Sequence, residues 1–317
     1  MKTRDSFRGT SINQDFAGNF KKTLFYKEIY CKHKNEIIIG VRDSFINLYY
    51  NCDNIALIEV DKPYQCKIDS YYTNGEKTIL TDKELVSYYD TIKANSDKRN
   101  KLEKQSQQRL YMENNNNPSS KWFCIDVEYT KSLQGKAHPE DWRFDIIAIS
   151  KVSPFRVALI ELKYGSGALK EPSGIRTHVK DFYSFFKNKK FEKLKLEIIS
   201  IIKKLSLLGV EVPESLGNIS CDDIVSEPEF YFITLNNNPA KIGSENTPKM
   251  TMSGYLFGDK RWGCKRISSL INKQGDYYAI TGHDKSFRPR FLFSKASLPC
   301  LQIKDILDRK YYDVETV

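Results

Sequence analysis

The stretches Arg143-Phe-Asp-Ile-Ile-Ala-Ile-Ser150 and Arg156-Val-Ala-Leu-Ile-Glu-Leu-Lys-Tyr164 decide the fold, because they carry three charged residues in otherwise apolar surroundings. Both stretches are short, rich in Ile and Val, and separated by a segment that contains a proline, which predicts two buried strands joined by a turn. In an antiparallel pair, the start of the first strand lies beside the end of the second. Asp145, Glu161 and Lys163 are then expected to converge, since side chains two positions apart share one face of a strand.

The three charged residues need a physical reason to lie inside a sheet. A buried ion is costly unless it is paired or binds a metal. One interpretation is a structural salt bridge between Lys163 and an acid, although buried pairs of this kind stabilise a fold only weakly. The other interpretation is a functional site in which two carboxylates and one ammonium group meet.

The composition is typical of a globular protein with a polyanionic partner. Hydrophobic residues make up 40% of the 317 residues, enough for a sizeable core. The formal net charge is +10 and the pI is near 9.0, which favours nucleic acid as the partner. The same net charge and pI would result from a basic surface that only keeps the protein soluble, or from an anionic membrane face as the partner.

Cysteine usage and the lack of long apolar runs indicate the compartment. Seven cysteines are an odd number and form no Cys-x-x-Cys pair, so neither a disulfide framework nor the usual structural zinc site is indicated. The first ten residues lack an apolar signal region, and no uncharged run is long enough to span a bilayer. We therefore expect reduced thiols and a cytoplasmic protein without membrane association.

The sequence pattern divides the chain into two regions. Residues 1–80 contain alternating and apolar runs separated by Asp, Asn and Lys-Pro turns, which predicts a small β-rich N-terminal module for recognition or scaffolding. Residues 81–317 form the second predicted domain. It begins with a capping-box sequence, Thr81-Asp-Lys-Glu84, and a charged helical run that continues towards Met112.

The second region then shows a definite order of elements. A strand at 122–129 precedes the two opening strands, and amphipathic helices at 173–186 and 191–208 follow them. A further strong strand is predicted at 229–235. The remaining predictions are short strands at 254–257, 277–280 and 290–293 and a terminal helix at 301–311.

This order of elements, with Asp145 at the start of one strand and Glu161-Leu162-Lys163 at the end of the next, resembles the PD-(D/E)xK nucleases, also called restriction-endonuclease-like. The resemblance covers roughly residues 81–235, and Phe144 stands where the motif name has proline. It implies an α/β fold with an α-β-β-β-α-β core and a mixed sheet. The implied function is a metal-dependent nuclease, a DNA endonuclease of a restriction or antiphage defence type. The alternatives are a non-catalytic nucleic-acid-binding or assembly protein with the same fold, and a ribonuclease.

The resemblance also assigns roles to the charged residues. Asp145 and Glu161 would bind magnesium or manganese (Mg²⁺ or Mn²⁺), with the backbone carbonyl of Leu162 as a possible third ligand, because hard oxygen ligands suit these ions. The ion would neutralise phosphate charge and activate a water molecule. Lys163 could orient or deprotonate that water, or stabilise the transition state as a fixed cation.

Three more residues are candidates for the same site. Glu128 ends the strand before Asp145 and could be an additional metal ligand or catalytic acid, or only a surface residue at a strand end. Asp126, two residues earlier, is expected on the same face of the strand, but deeper, and ranks lower. His178, on the following helix, could contact phosphate or the attacking water, or be an ordinary histidine on a helix surface.

Cations near the predicted site and in the C-terminal part are candidates for nucleic-acid contacts. Two C-terminal runs interleave cations with aromatic residues, a composition used for phosphate contact and base stacking, although either could be a solvated loop. The expected partner is double-stranded DNA, and cutting both strands would favour a homodimer. The predicted contacts are Lys170, Arg176, Lys180, Lys260, Arg261, Lys265, Arg266, Arg288 and Arg290.

Overall fold

The structure, a computed structural model, describes residues 8–131, 142–165, 175–235, 281–282, 284–293 and 312–313. These residues form a mixed α/β fold with two β-sheets. The strands predicted at 254–257 and 277–280 and the helix predicted at 301–311 lie outside the described residues. Within the described part of the chain, none of the helices combines the length and the apolar character needed to cross a membrane.

The N-terminal region forms a five-stranded antiparallel sheet, which confirms its predicted β-rich character. The second and third strands are joined tightly, because Asn51 and Cys52 both adopt the left-handed backbone conformation, with φ of 53° and 52°. The domain boundary between residues 80 and 81 stays a prediction. The strands, in their order across the sheet, are β1 (Ile38–Val41), β2 (Phe45–Tyr50), β3 (Asp53–Glu59), β4 (Gln65–Lys67) and β5 (Ile79–Thr81).

The second sheet is mixed, and its strands lie across the sheet in the same order as along the chain. The middle one of the first three strands is antiparallel to both of its neighbours, whereas the fourth strand is parallel to the third and the fifth is parallel to the fourth. These strands confirm the predictions from residue 122 to residue 235 and at 290–293. They are β6 (Trp122–Lys131), β7 (Trp142–Ser150), β8 (Val157–Tyr164), β9 (Glu229–Leu235), β10 (Arg290–Phe293) and β11 (Tyr312–Asp313).

Five α-helices accompany the two sheets in the described residues. The first precedes the N-terminal sheet, the second packs against β4 and β5, and the third packs against β6, β7 and β8. The fourth and fifth connect β8 to β9 along the chain, in the positions predicted for two amphipathic helices. They are α1 (Gln14–Lys22), α2 (Asp82–Lys98), α3 (Leu102–Asn115), α4 (Ile175–Lys187) and α5 (Phe191–Leu207).

The single helical run predicted from residue 81 towards Met112 is wrong, because the chain leaves the helix between α2 and α3. The predicted capping box at the start of α2 is present. At the break, Arg99 Nη1 and Lys101 Nζ lie 3.4 and 3.2 Å from Oδ1 of the buried Asp53. Residues two apart point to different sides of a helix, so a continuous helix could not bring both cations to one carboxylate.

Two apolar clusters fill the interior. The larger contains residues of both sheets and of all helices except α3, including Phe20, Ile46 and Phe144. The smaller lies on the other face of the second sheet, where Leu110 of α3 and Ile160 of β8 belong to one cluster with Cys52 of the β2–β3 turn. The N-terminal sheet therefore contributes to both sides of the second sheet.

Candidate active site

The site lies where strands β7 and β8 separate. Their paired residues end at Ile146 and Ile160, so Asp145 and Glu161 are the next residues beyond the last pair. Beyond the last pair, the Asp145 side chain replaces a backbone carbonyl as the acceptor, because its Oδ2 accepts a hydrogen bond of 2.7 Å from the backbone N–H of Leu162. This bond fixes the half-buried Asp145 carboxylate beside the end of β8.

Glu161 and Lys163 lie on one face of β8, as the strand period predicts. The ammonium Nζ of Lys163 lies 2.7 Å from Glu161 Oε1, and both side chains are buried. His178 of α4 approaches the same oxygen, with its Nε2 at 3.0 Å. The structure thus brings together Asp145, Glu161 and Lys163, as expected from the sequence, and it places His178, for which the sequence left two readings open, beside Glu161.

Glu103 also belongs to this group, although the sequence alone did not identify it as a site residue. Its Oε1 lies 3.4 Å from Lys163 Nζ, since α3 packs across the end of β8. In the sequence, Glu103 is one acid in a heavily charged helical run, and no spacing separates it from its neighbours. Only the packing of α3 against the sheet identifies it.

The environment shifts the pKa values of all three central groups. Burial raises the pKa of the Asp145 carboxyl well above its usual range, and the nearby Glu161 raises it further. Burial also raises the pKa of Glu161, to about 7, although the ammonium group of Lys163 opposes the rise. Burial works against the charge of Lys163, but Glu161 and Asp145 raise its pKa above the usual value. The site therefore combines a lysine and two acids whose pKa values are all raised.

Glu128 lies at the edge of the site. Its neighbours Val127 and Tyr129 pair with Ile146 and Phe144 of β7, so Glu128 lies opposite Asp145. Its backbone is left-handed, with φ of 50°, a conformation that costs a non-glycine residue about 1 kcal/mol. Such strain is concentrated at functional sites. The Glu128 carboxylate is not isolated, because the Nζ of Lys104 lies 3.5 Å from its Oε1.

Asp126 belongs to a different environment, which corrects its expected place near the site. An irregularity in the β6–β7 pairing between Cys124 and Asp126 places Asp126 opposite Ile147, a residue of the larger apolar cluster. There the fully buried carboxylate lies 2.9 Å from Arg42 Nη1 and 3.0 Å from Arg8 Nη1. Asp126 joins the two sheets rather than contributing to the candidate site.

The predicted nucleic-acid contacts are only partly described. Lys180 and Arg288 are exposed, whereas the side chain of Arg176 is not described. Arg290 Nη1 lies 2.6 Å from the hydroxyl of Tyr231 and also pairs with Glu229. Because Glu229 begins β9, this pair lies at the end of the sheet opposite to Lys163 and argues against the predicted phosphate contact of Arg290. The predicted contacts outside the described residues are Lys170, Lys260, Arg261, Lys265 and Arg266.

The donor atoms suit a divalent metal ion by their chemistry. The carboxylates of Asp145 and Glu161 and the carbonyl of Leu162 are hard oxygen donors, of the kind that Mg²⁺ and Mn²⁺ prefer. Among the described residues, no three His, Cys, Asp or Glu side chains are close enough together to hold a metal ion. In this conformation, the cation beside Glu161 is the ammonium group of Lys163.

Comparison with protein-family models, with curated proteins and with solved structures finds no match to this chain. The function must accordingly be argued from the geometry of the site.

Proposed function

We propose that this protein is a metal-dependent nuclease that hydrolyses phosphodiester bonds. The observation that carries the proposal is the meeting of Asp145, Glu161 and Lys163 at the point where β7 and β8 separate. Two acids with raised pKa values beside a buried ammonium group lower the stability of a fold, and such groups are typical of catalytic sites. A structural salt bridge would need only one of the two acids.

The proposed fold family is the PD-(D/E)xK, or restriction-endonuclease-like, superfamily. Support comes from the element order α3, β6, β7, β8, α4, β9 and from the mixed sheet, in which β9 is parallel to β8. Further support comes from Asp145 near the start of β7 and from the Glu161-Leu162-Lys163 run near the end of β8, which correspond to the positions that the resemblance implies. α5 and the N-terminal sheet are additions to that core.

Asp145, Glu161 and the carbonyl of Leu162 would hold Mg²⁺ or Mn²⁺, with Glu128 and Glu103 at the edge of the site. The bound ion would neutralise charge on the phosphate and lower the pKa of a water molecule. The hydrogen bond from Leu162 N–H to Asp145 orients the carboxylate before any ion arrives. Fixing a ligand in advance reduces the free-energy cost of ordering the site.

Lys163 is proposed to act as a fixed cation, because its Nζ lies 2.7 Å from Glu161 Oε1 and 3.4 Å from Glu103 Oε1. Burial lowers the pKa of Lys163, but in the metal-free protein Glu161 and Asp145 raise it above the usual value, which favours the ammonium group. It can stabilise the negative charge that develops on the phosphate. His178, 3.0 Å from Glu161 Oε1, would orient that carboxylate.

Double-stranded DNA is the proposed substrate, and restriction or antiphage defence the proposed setting. The net charge of +10 supports a polyanionic substrate, but it supports RNA equally. A dimer would be needed to cut both strands at one position in a single binding event.

To test the proposal, the purified protein is incubated with circular duplex DNA, linear duplex DNA, single-stranded DNA and RNA. Each substrate is tested with Mg²⁺, with Mn²⁺ and with a chelator. We expect divalent-dependent cleavage, and its loss in Lys163→Ala without a change in fold or in nucleic-acid binding. Lys67→Ala is the matched control, because Lys67 pairs with Glu59 on the N-terminal sheet. Binding without cleavage or metal affinity would instead support the non-catalytic alternative, and cleavage confined to RNA would identify a ribonuclease.

A further inference from the structure

The turn between β2 and β3 is bonded to the helix that borders the candidate active site. The backbone N–H of Cys52 donates a hydrogen bond of 3.0 Å to Gln108 Oε1. The carbonyl of Cys52 accepts one of 3.2 Å from Lys104 Nζ. Both bonds reach α3, so this turn of the N-terminal sheet is attached to the helix at two points one helical turn apart.

Gln108 makes a second bond to the N-terminal sheet. Its Nε2 donates 2.6 Å to the carbonyl of Glu36, just before β1. Both polar atoms of the buried Gln108 side chain therefore form hydrogen bonds, one to a residue that follows the β1–β2 hairpin and one to a residue that precedes it. A shift or rotation of α3 would break both bonds, and a buried polar group left without its partner is costly.

The same helix carries two contacts into the candidate active site. Glu103 Oε1 lies 3.4 Å from Lys163 Nζ, and Lys104 Nζ lies 3.5 Å from Glu128 Oε1. Gln108 lies about one helical turn after Glu103 and Lys104. Any movement of α3 at Gln108 is transmitted to Glu103 and Lys104, because a helical turn is stiff on this scale.

We infer that Gln108 is a positioning residue, through which the N-terminal sheet sets the place of Glu103 and Lys104 in the active site. The inference rests on the proposed nuclease function. It also gives the β-rich region a role beyond recognition or scaffolding, since the sheet helps to hold the catalytic geometry. Substrate does not need to touch Gln108 for this effect.

The kinetic test compares Gln108→Met with Gln105→Met, a half-buried control on the same helix. We expect Gln108→Met to lower kcat about ten- to a hundred-fold, as small misplacements in active sites do, with KM little changed. The Gln105 variant should cleave at the normal rate. In a Glu103→Gln background, the loss caused by Gln108→Met should shrink, because this background has already lost one of the two contacts through which Gln108 acts, those of Glu103 and Lys104.

Equal losses in both backgrounds, or the same loss in Gln105→Met, would overturn the inference.

Hydrogen exchange separates this inference from the proposed function. In Gln108→Met, amide exchange should become faster in peptides covering 102–107 and 159–164, not only around residues 51–53. Faster exchange confined to 51–53 would refute the positioning role. If the wild-type protein cleaves no nucleic acid, the nuclease proposal fails, whereas the exchange result still decides whether Gln108 positions α3.

Discussion

Asp145→Asn is expected to stabilise the metal-free protein at pH 8. Burial raises the pKa of Asp145, and the charge of Glu161 raises it further. A carboxyl group whose pKa is higher in the folded state destabilises the fold at every pH above its unfolded-state pKa, because the unfolded chain releases the proton more easily, and the penalty grows until the pH has passed the folded-state pKa. The asparagine carbonyl can still accept the hydrogen bond of Leu162 N–H, so the substitution removes the charge and keeps the contact.

The pKa shift sets the direction of the effect. A rise of one in the folded-state pKa corresponds to about 1.4 kcal/mol, so the rise of the neighbouring Glu161 from the usual 4.5 to about 7 corresponds to roughly 3 kcal/mol. For Asp145, whose pKa is also raised, we expect Asp145→Asn to increase the free energy of unfolding at pH 8. The gain should decrease as the pH falls and the wild-type carboxyl becomes protonated.

The assay is urea denaturation at pH 8 and at pH 5, with a chelator and with Mg²⁺. Ions that bind only the folded state stabilise it, so Mg²⁺ should stabilise the wild type and not Asp145→Asn. Asp90→Asn, an exposed change on α2, is the control and should have no effect. An Asp145→Asn protein less stable than the wild type at pH 8 without metal would refute this explanation of the site.

Two further predictions concern β6. Glu128→Gly removes a left-handed non-glycine residue (φ 50°) and should stabilise the metal-free protein by up to about 1 kcal/mol, while it lowers divalent-dependent cleavage. The control is Lys189→Gly, which removes the same left-handed conformation (φ 51°) just after α4 and should stabilise the protein without affecting cleavage. Calorimetry measures the stability of both variants, and a cleavage assay measures their activity. Equal cleavage by the two variants would contradict the role of Glu128. Asp126→Ala should cost about 3 to 5 kcal/mol, because it leaves the buried guanidinium groups of Arg8 and Arg42 without their carboxylate. A denaturation midpoint close to that of the wild type would show that these guanidinium groups do not depend on Asp126.

The central part of the site could be predicted from the sequence because its signals are local. Apolar runs marked the strands, and the strand period placed Glu161 and Lys163 on one face. Antiparallel pairing of neighbouring strands then brought Asp145 beside them, as the structure shows.

The remaining features depend on long-range packing, which leaves no local signal. The break between α2 and α3 is associated with Asp53, a residue far away in the sequence. Asp126 is displaced from the site by an irregular strand pairing that no residue type marks. The contribution of Glu103 requires α3 to cross the end of β8.

The most direct test of the central claim is the cleavage rate of duplex DNA in Mg²⁺ by the wild type and by Lys163→Met. Methionine keeps the apolar stem of the lysine and removes its charge, so packing is disturbed little. We predict that the wild type cleaves and that Lys163→Met is slower by about a hundred-fold or more, as expected when a group that stabilises developing charge is lost. Cleavage by Lys163→Met at the wild-type rate would contradict the assignment of this site.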